Sequence, residues 1–230
     1  MRLHRFFIDK HLTVGDIRLI DSELINQWKN VLKLAVGDRV VLIEEGVAEG
    51  EAVINLVTKK EVVVSVENIN KTQRQDREVT LYCAILKKDN FELVCQKATE
   101  IGITSIVPVV TNRTVKLALN QDRLNKIVKE ASEQSGRMSI PKISEMINFD
   151  DLLKKSLDGQ KIILNMSGDK KISPREDKIN ILIGPEGGFT EEEVAKAEQS
   201  DWQTLSLGEN TYRAETAAIV ATYLAVEKFI

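Results

Sequence analysis

The chain has 230 residues, 43% of them hydrophobic and 29% charged, with a formal net charge of −3, which is the profile of a folded, water-soluble globular protein rather than a disordered or low-complexity one. No apolar run approaches the roughly 20 residues that span a bilayer, and residues 1–7 hold no apolar stretch of signal-peptide length, so no membrane association and a cytoplasmic location are expected. Two cysteines, Cys83 and Cys95, and two isolated histidines, His4 and His11, are too few and too scattered for a disulfide framework or a zinc site, and no metal is expected.

Residues 5–8, 39–44, 51–56 and 62–69 are rich in β-branched and aromatic types, with turn signals at Gly37-Asp38 and between Gly46 and Gly50. A short helix over 22–32 interrupts them. This part reads as a small β-barrel-like domain. Residues 70–77 are polar and aperiodic, which marks a linker.

Beyond it the texture changes. Strand candidates at 79–86, 103–110, 161–165, 179–183 and 204–207 alternate with helices. In the first helix Phe91, Val94, Cys95, Ala98 and Ile101 share one face; in the second Leu124, Ile127, Val128 and Ala131 do. The third, over 190–199, opens with Thr190 and Glu193 in capping-box spacing. The last runs over 214–229 and is apolar over a broad arc through Ala217, Ala218, Ala221, Leu224 and Ala225, either because it is central to one subunit or because a second copy covers it. Strand–helix alternation predicts an α/β domain with a parallel sheet covered on both faces.

Charge is unevenly placed. From Thr111 to Lys142 seven Lys/Arg (Arg113, Lys116, Arg123, Lys126, Lys129, Arg137, Lys142) face three acids; from Glu186 onward nine acids face three cations. The basic stretch permits docking of a polyanion, and equally a solvated helix face.

Two strand-to-helix junctions stand out. In Ile181-Leu182-Ile183-Gly184-Pro185-Glu186-Gly187-Gly188-Phe189-Thr190 a buried strand enters a glycine-rich turn and then a capped helix. This is where parallel sheets bind ligands, with glycines letting backbone approach them. The segment matches neither the dinucleotide fingerprint nor the P-loop, and Glu191-Glu192-Glu193 would repel a phosphate at the helix start. A ligand that is not a polyphosphate is favoured, with a tight turn that simply needs glycine as the alternative. At the second junction, Leu207-Gly208-Glu209-Asn210-Thr211-Tyr212-Arg213-Ala214-Glu215, Glu215 suits a helix start. Arg213 sits beside the inferred crevice, as a functional cation or a surface arginine.

Together Gly184-Pro185-Glu186-Gly187-Gly188 and Leu207-Gly208 followed by Arg213-Ala214-Glu215-Thr216-Ala217 resemble the RsmE family of 16S rRNA (uridine-N3) methyltransferases, of the SPOUT superfamily. Arg5-Phe6-Phe7, Gln96-Lys97-Ala98-Thr99-Glu100-Ile101-Gly102-Ile103 and Glu130-Ala131-Ser132-Glu133-Gln134-Ser135-Gly136-Arg137 agree in order along the chain. The chain departs from the family pattern at Asn210-Thr211-Tyr212, where an arginine and two aliphatic residues are usual, and at Lys33, where arginine is frequent.

The resemblance implies a PUA-like RNA-binding β-barrel over 1–72 and a SPOUT methyltransferase domain over 73–230, its last part threaded as a trefoil knot. It implies S-adenosylmethionine (SAM) against Leu164, Asn165, Ile183, Gly184, Pro185, Glu186, Gly187, Gly188, Leu207, Gly208, Tyr212 and Ala214. It further implies a homodimer acting on 16S rRNA of the small ribosomal subunit. Arg213 is the catalytic candidate, because a cation facing the uracil oxygens stabilises the anion that forms when N3 loses its proton. Arg5, Arg113 and Arg137 are the RNA-binding candidates.

Overall fold

The computed structural model describes residues 3–71, 77–87, 89–115, 118–169 and 176–227. Positions 72–76 of the expected linker, Lys116 of the basic stretch and the end of the last helix at Phe229 lie outside the described residues. The chain forms two compact units, residues 1–74 with 132–139, and residues 75–131 with 140–230.

The first unit holds β1 (His4–Phe7), β2 (Gly15–Leu19), α1 (Ser22–Asn26), a π-helical turn (Gln27–Val31), β3 (Arg39–Glu44), β4 (Ala48–Val57), β5 (Val62–Val66) and β6 (Asn70–Lys71). Its sheet runs β1-β3-β4-β5-β2, with β6 also on β4; β1 pairs β3 in parallel and the other pairs are antiparallel. Burial alternates along β4, with Ala48, Gly50, Ala52 and Ile54 turned inward, the period of a half-buried strand. Asp21 starts α1, its Oδ1 accepting from the Glu23 and Leu24 N–H groups at 2.7 and 3.1 Å. The helix expected over 22–32 is therefore α1 plus the π-helical turn, which seats Trp28 fully buried against Phe6 at a ring-centroid distance of 4.8 Å. Residues 132–139 join this unit through the Gly46 N–H to Met138 carbonyl bond at 2.8 Å and the Phe7 N–H to Glu133 Oε1 bond at 3.2 Å.

The second unit holds β7 (Glu78–Ala84), α2 (Asn90–Ile101), β8 (Ser105–Val110), α3 (Gln121–Ser135), β9 (Lys142–Ile143), β10 (Ile147–Asn148), α4 (Phe149–Leu153), β11 (Gln160–Asp169), β12 (Lys178–Ile183), α5 (Glu191–Gln199), β13 (Gln203–Leu205) and α6 (Ala214–Val226); the last turn of α3 belongs to the first unit. The sheet order is β10-β8-β7-β12-β11-β13, with β9 also on β8, and every pairing is parallel. The expected α/β class with a parallel sheet is what the chain forms. Successive residues explain its two covered faces. Leu81, Cys83, Ile181 and Ile183 point to one core with Val94 and Ala98 of α2 and Ala218 and Ala221 of α6. Tyr82, Leu182 and Ile163 point to the other with Phe149, Leu152, Ala197 and Trp202. A strand buried on both sides reads as a continuous apolar run, as β12 does.

Candidate active site

Three chain segments meet at the carboxyl edge of the sheet. The loop after β12 makes a tight turn in which the Gly188 N–H donates to the Pro185 carbonyl at 2.8 Å. Gly188 has φ +68°, a left-handed backbone that a β-branched residue resists. The turn leads into Thr190, which caps α5. Its hydroxyl accepts from the Glu193 N–H at 3.1 Å, and Glu193 Oε2 accepts from the Thr190 N–H at 2.8 Å. Glu193 is accordingly buried, at 7% exposure, while Glu191 and Glu192 face solvent.

A cavity of about 280 Å³ opens between this loop, β11 and the segment from β13 to α6. The first side supplies Ile183, Gly184, Pro185, Glu186, Gly187, Gly188 and Phe189, the second Leu164, Asn165 and Met166, and the third Leu205, Leu207, Asn210, Thr211, Tyr212, Ala214 and Ala217. Of the cofactor-binding candidates read from the sequence, all except Gly208 line it. Gly208 lies beside it, its carbonyl accepting from the Ser206 hydroxyl at 3.0 Å. Met166, Phe189, Leu205, Asn210, Thr211 and Ala217 were not among the candidates. The apolar phase of β11 and β13 was the signal for Leu205; nothing local marked Met166.

The cavity carries a carboxylate, Glu186, and no Lys or Arg among its described lining residues. Glu186 Oε1 accepts from the Lys87 N–H at 2.7 Å, which ties the glycine loop to the segment after β7. An apolar slot with amide and hydroxyl groups and a single negative charge suits a neutral or cationic ligand and disfavours a polyphosphate. Cys83 lies nearby in β7, where burial pushes its thiol well above the ordinary range, with the Glu186 carboxylate adding, which disfavours the thiolate.

Residues 73–226 match the RNA methyltransferase domain family. A ribosomal RNA small subunit methyltransferase E of Rickettsia conorii is 34% identical over 96% of this chain and 94% of its own length. The chain belongs to the ribosomal RNA small subunit methyltransferase E family. Its relative from Bacillus subtilis is 28% identical over 95% of this chain and 94% of its own. The crystal structure of the family member from Neisseria gonorrhoeae bound to S-adenosyl methionine superimposes with a TM-score of 0.88 at 27% identity, covering 96% of this chain and 95% of that one. A Legionella pneumophila methyltransferase in complex with SAM gives the same score and identity over 98% and 97%.

Arg213, the catalytic candidate of this family member, stands as N-cap of α6 in extended conformation, with φ −63° and ψ 151°. It is exposed, between cavity residues Tyr212 and Ala214 but outside the lining itself. The RNA candidates are placed differently from one another. Arg5, in the first unit, is largely withdrawn from solvent and paired with Glu49. Arg137, also in the first unit, is partly buried, and desolvation lowers its pKa to about 10, which still leaves a cation at neutral pH. Arg113, in the second unit, is exposed but donates through Nη1 to the Gly187 carbonyl at 2.6 Å. Among the described residues no group of His, Cys, Asp and Glu is arranged to hold a metal, and no helix is long and apolar enough to cross a membrane.

Proposed function

We propose that this chain transfers the methyl group of SAM to N3 of a uridine in 16S rRNA. Family membership makes it a SAM-dependent ribosomal RNA methyltransferase; the atom and base are the finer reading. The observation that supports it is the convergence of the glycine loop, β11 and the approach to α6 on one cavity whose described lining residues include no Lys or Arg. Leu164, Ile183, Leu205, Leu207 and Ala214 offer apolar walls for an adenine ring. Glu186 and the polar groups of Asn165, Asn210 and Thr211 offer partners for the ligand's ribose and amino acid ends, and one carboxylate complements a net positive ligand.

The chemistry that SAM supplies when bound is an activated methyl group on a cationic sulfur. What remains for the protein is positioning and deprotonation. Arg213, at the rim, faces its guanidinium to the uracil oxygens and stabilises the negative charge left when the N3 proton departs. Tyr212 and Ala214 hold that rim against the cofactor cavity.

The first unit serves as a PUA-like RNA-binding domain, with Arg5 and Arg137 as its cations, and the basic stretch beyond Arg113 adds phosphate contacts. The second unit carries the SPOUT arrangement with its knotted C-terminal segment. The enzyme works in the cytoplasm as a homodimer on rRNA of the small ribosomal subunit. Mass mapping of modified nucleosides in small-subunit RNA from a strain lacking the gene tests the assignment. The expected result is loss of one N3-methyluridine, restored by the gene. Loss of a different methylated nucleoside overturns the atom and base but not the enzyme class.

A further inference from the structure

We infer that Arg113 is a positioning residue of the cofactor site, holding the glycine loop in its SAM-accepting shape rather than serving as a phosphate contact. The inference rests on the reading of the cavity as a SAM site. Arg113 reaches across from the turn after β8. Its Nη1 donates to the Gly187 carbonyl at 2.6 Å and lies 3.4 Å from the Phe189 carbonyl, so one guanidinium spans the loop from Gly187 to the residue before the α5 cap.

Its aliphatic part lies over Gly187. A Cβ on residue 187 would sit 3.3 Å from Arg113 Cδ and 3.6 Å from its Cβ, so the glycine leaves the space that the arginine stem fills. The turn that carries Arg113 is itself fixed. The Thr111 N–H donates to Thr114 Oγ1 at 2.9 Å, and the Thr114 N–H to the Thr111 carbonyl at 3.1 Å. The neighbouring Asn112 N–H donates to Glu193 Oε1 at 2.8 Å, the same buried carboxylate whose other oxygen closes the α5 capping box. Two adjacent residues, one by backbone and one by side chain, therefore tie the turn after β8 to the loop after β12 and its helix.

The physical consequence concerns affinity. A loop with Gly184, Gly187 and Gly188 has wide backbone freedom, and ordering it on ligand binding costs entropy. A charge-assisted clamp on its carbonyls removes that freedom beforehand. Without the clamp the folded protein persists, because Arg113 is exposed and outside both cores of the second unit, but the loop samples shapes that do not receive the ligand.

Calorimetric titration of SAM into the full chain without RNA tests this, alongside RNA binding of the SAM-free protein across a salt series. Arg113→Ala is expected to weaken SAM affinity about tenfold, with KM for SAM rising more than kcat falls, and with RNA affinity and its salt slope unchanged. Arg113→Lys recovers part of the loss, since an ammonium keeps the charge but lacks the fixed planar geometry of the guanidinium. Gly187→Ala weakens SAM binding in the wild-type background and less so in Arg113→Ala, because the stem it collides with is gone. SAM affinity of Arg113→Ala within about twofold of wild type, or a loss confined to RNA binding, overturns the inference. A wild-type chain that takes up no SAM overturns the reading of the cavity and this inference with it.

Discussion

Arg213 stands at the rim of the cavity with its backbone committed to α6, since the Ala217 N–H donates to its carbonyl at 2.9 Å, while its side chain makes no capping bond. The guanidinium is therefore not engaged in capping α6. If it stabilises the uracil anion, Arg213→Ala lowers single-turnover methylation of ribosomal subunits at saturating SAM by roughly 100- to 1000-fold. SAM affinity changes little, and Arg213→Lys restores only part of the rate. Turnover within a few-fold of wild type removes Arg213 from the mechanism. Gly188 makes a different residue-scale case. Among the described residues nothing lies within 4 Å of a Cβ placed there, so Gly188→Val acts through its φ of +68° rather than through a collision with them. The turn must open to relieve it, and SAM affinity measured on the folded variant is expected to fall further than its melting temperature. Wild-type affinity in that variant would show that the turn tolerates the change.

The π-helical turn over Gln27–Val31 is the element whose energetics are clearest. It exists because Trp28, at 0% exposure, has to reach the core of the first unit and stack on Phe6. Its Nε1 is buried and has no hydrogen-bond partner, a cost accepted for the packing of the ring. Trp28→Ala, which leaves a cavity, is expected to destabilise by about 3–5 kcal/mol. Trp28→Phe keeps much of the fill and removes the unpaired donor, so its cost by chemical denaturation should be under about half of that. Equal costs for the two variants would show that filling this site with a ring is not what stabilises it. Sequence periodicity marked this stretch as helical, but it could not show the widened turn, since that depends on where Phe6 sits.

For the molecule as a whole, both thiols are predicted to be inert. Cys83 and Cys95 have 0% exposure, and burial, with Glu92 adding, pushes the Cys95 thiol up to about 12. Ellman's reagent at pH 8 should react with neither until the second unit unfolds; rapid labelling of native protein would reveal a local opening through α2. The homodimer is a second prediction at this scale, and α6 offers it only part of its apolar surface. Ala218, Ala221 and Ala225 of α6 are fully buried within their own subunit, so they leave little for a partner. Ala217, Ile219, Val220 and Leu224 of α6 are partly exposed, and Tyr223, at 49% exposure, and Leu93, at 38%, on α2, which packs against α6, face outward. The chain is expected to sediment as a dimer at micromolar concentration, and Tyr223→Asp to shift it toward monomer. A monodisperse wild-type monomer with full activity counts against it.

Much of this protein is written locally. Alternating apolar runs and amphipathic helices determine the parallel sheet, because a strand buried on both faces and a helix buried on one carry their environment in their own spacing. The Thr190–Glu193 capping box and the glycine turn at Gly184–Gly188 are likewise legible, since each is closed by bonds between residues a few positions apart. Short pieces were not legible: β2, β9, β10, α4 and β6, whose residues 70–71 were read as the start of the linker, are held by pairing and packing with distant segments, so their own residues carry little signal. The same holds for the site. The sequence shows which loops could bind a ligand, but only the order β8-β7-β12-β11-β13 brings Met166, Phe189, Asn210 and Thr211 to one cavity and lays Arg113 on Gly187. Hydrogen bonds between residues more than seventy positions apart, as between Arg113 and Gly187 or Asn112 and Glu193, depend on which strands become neighbours, and that is decided by the burial of the whole sheet rather than by any local pattern.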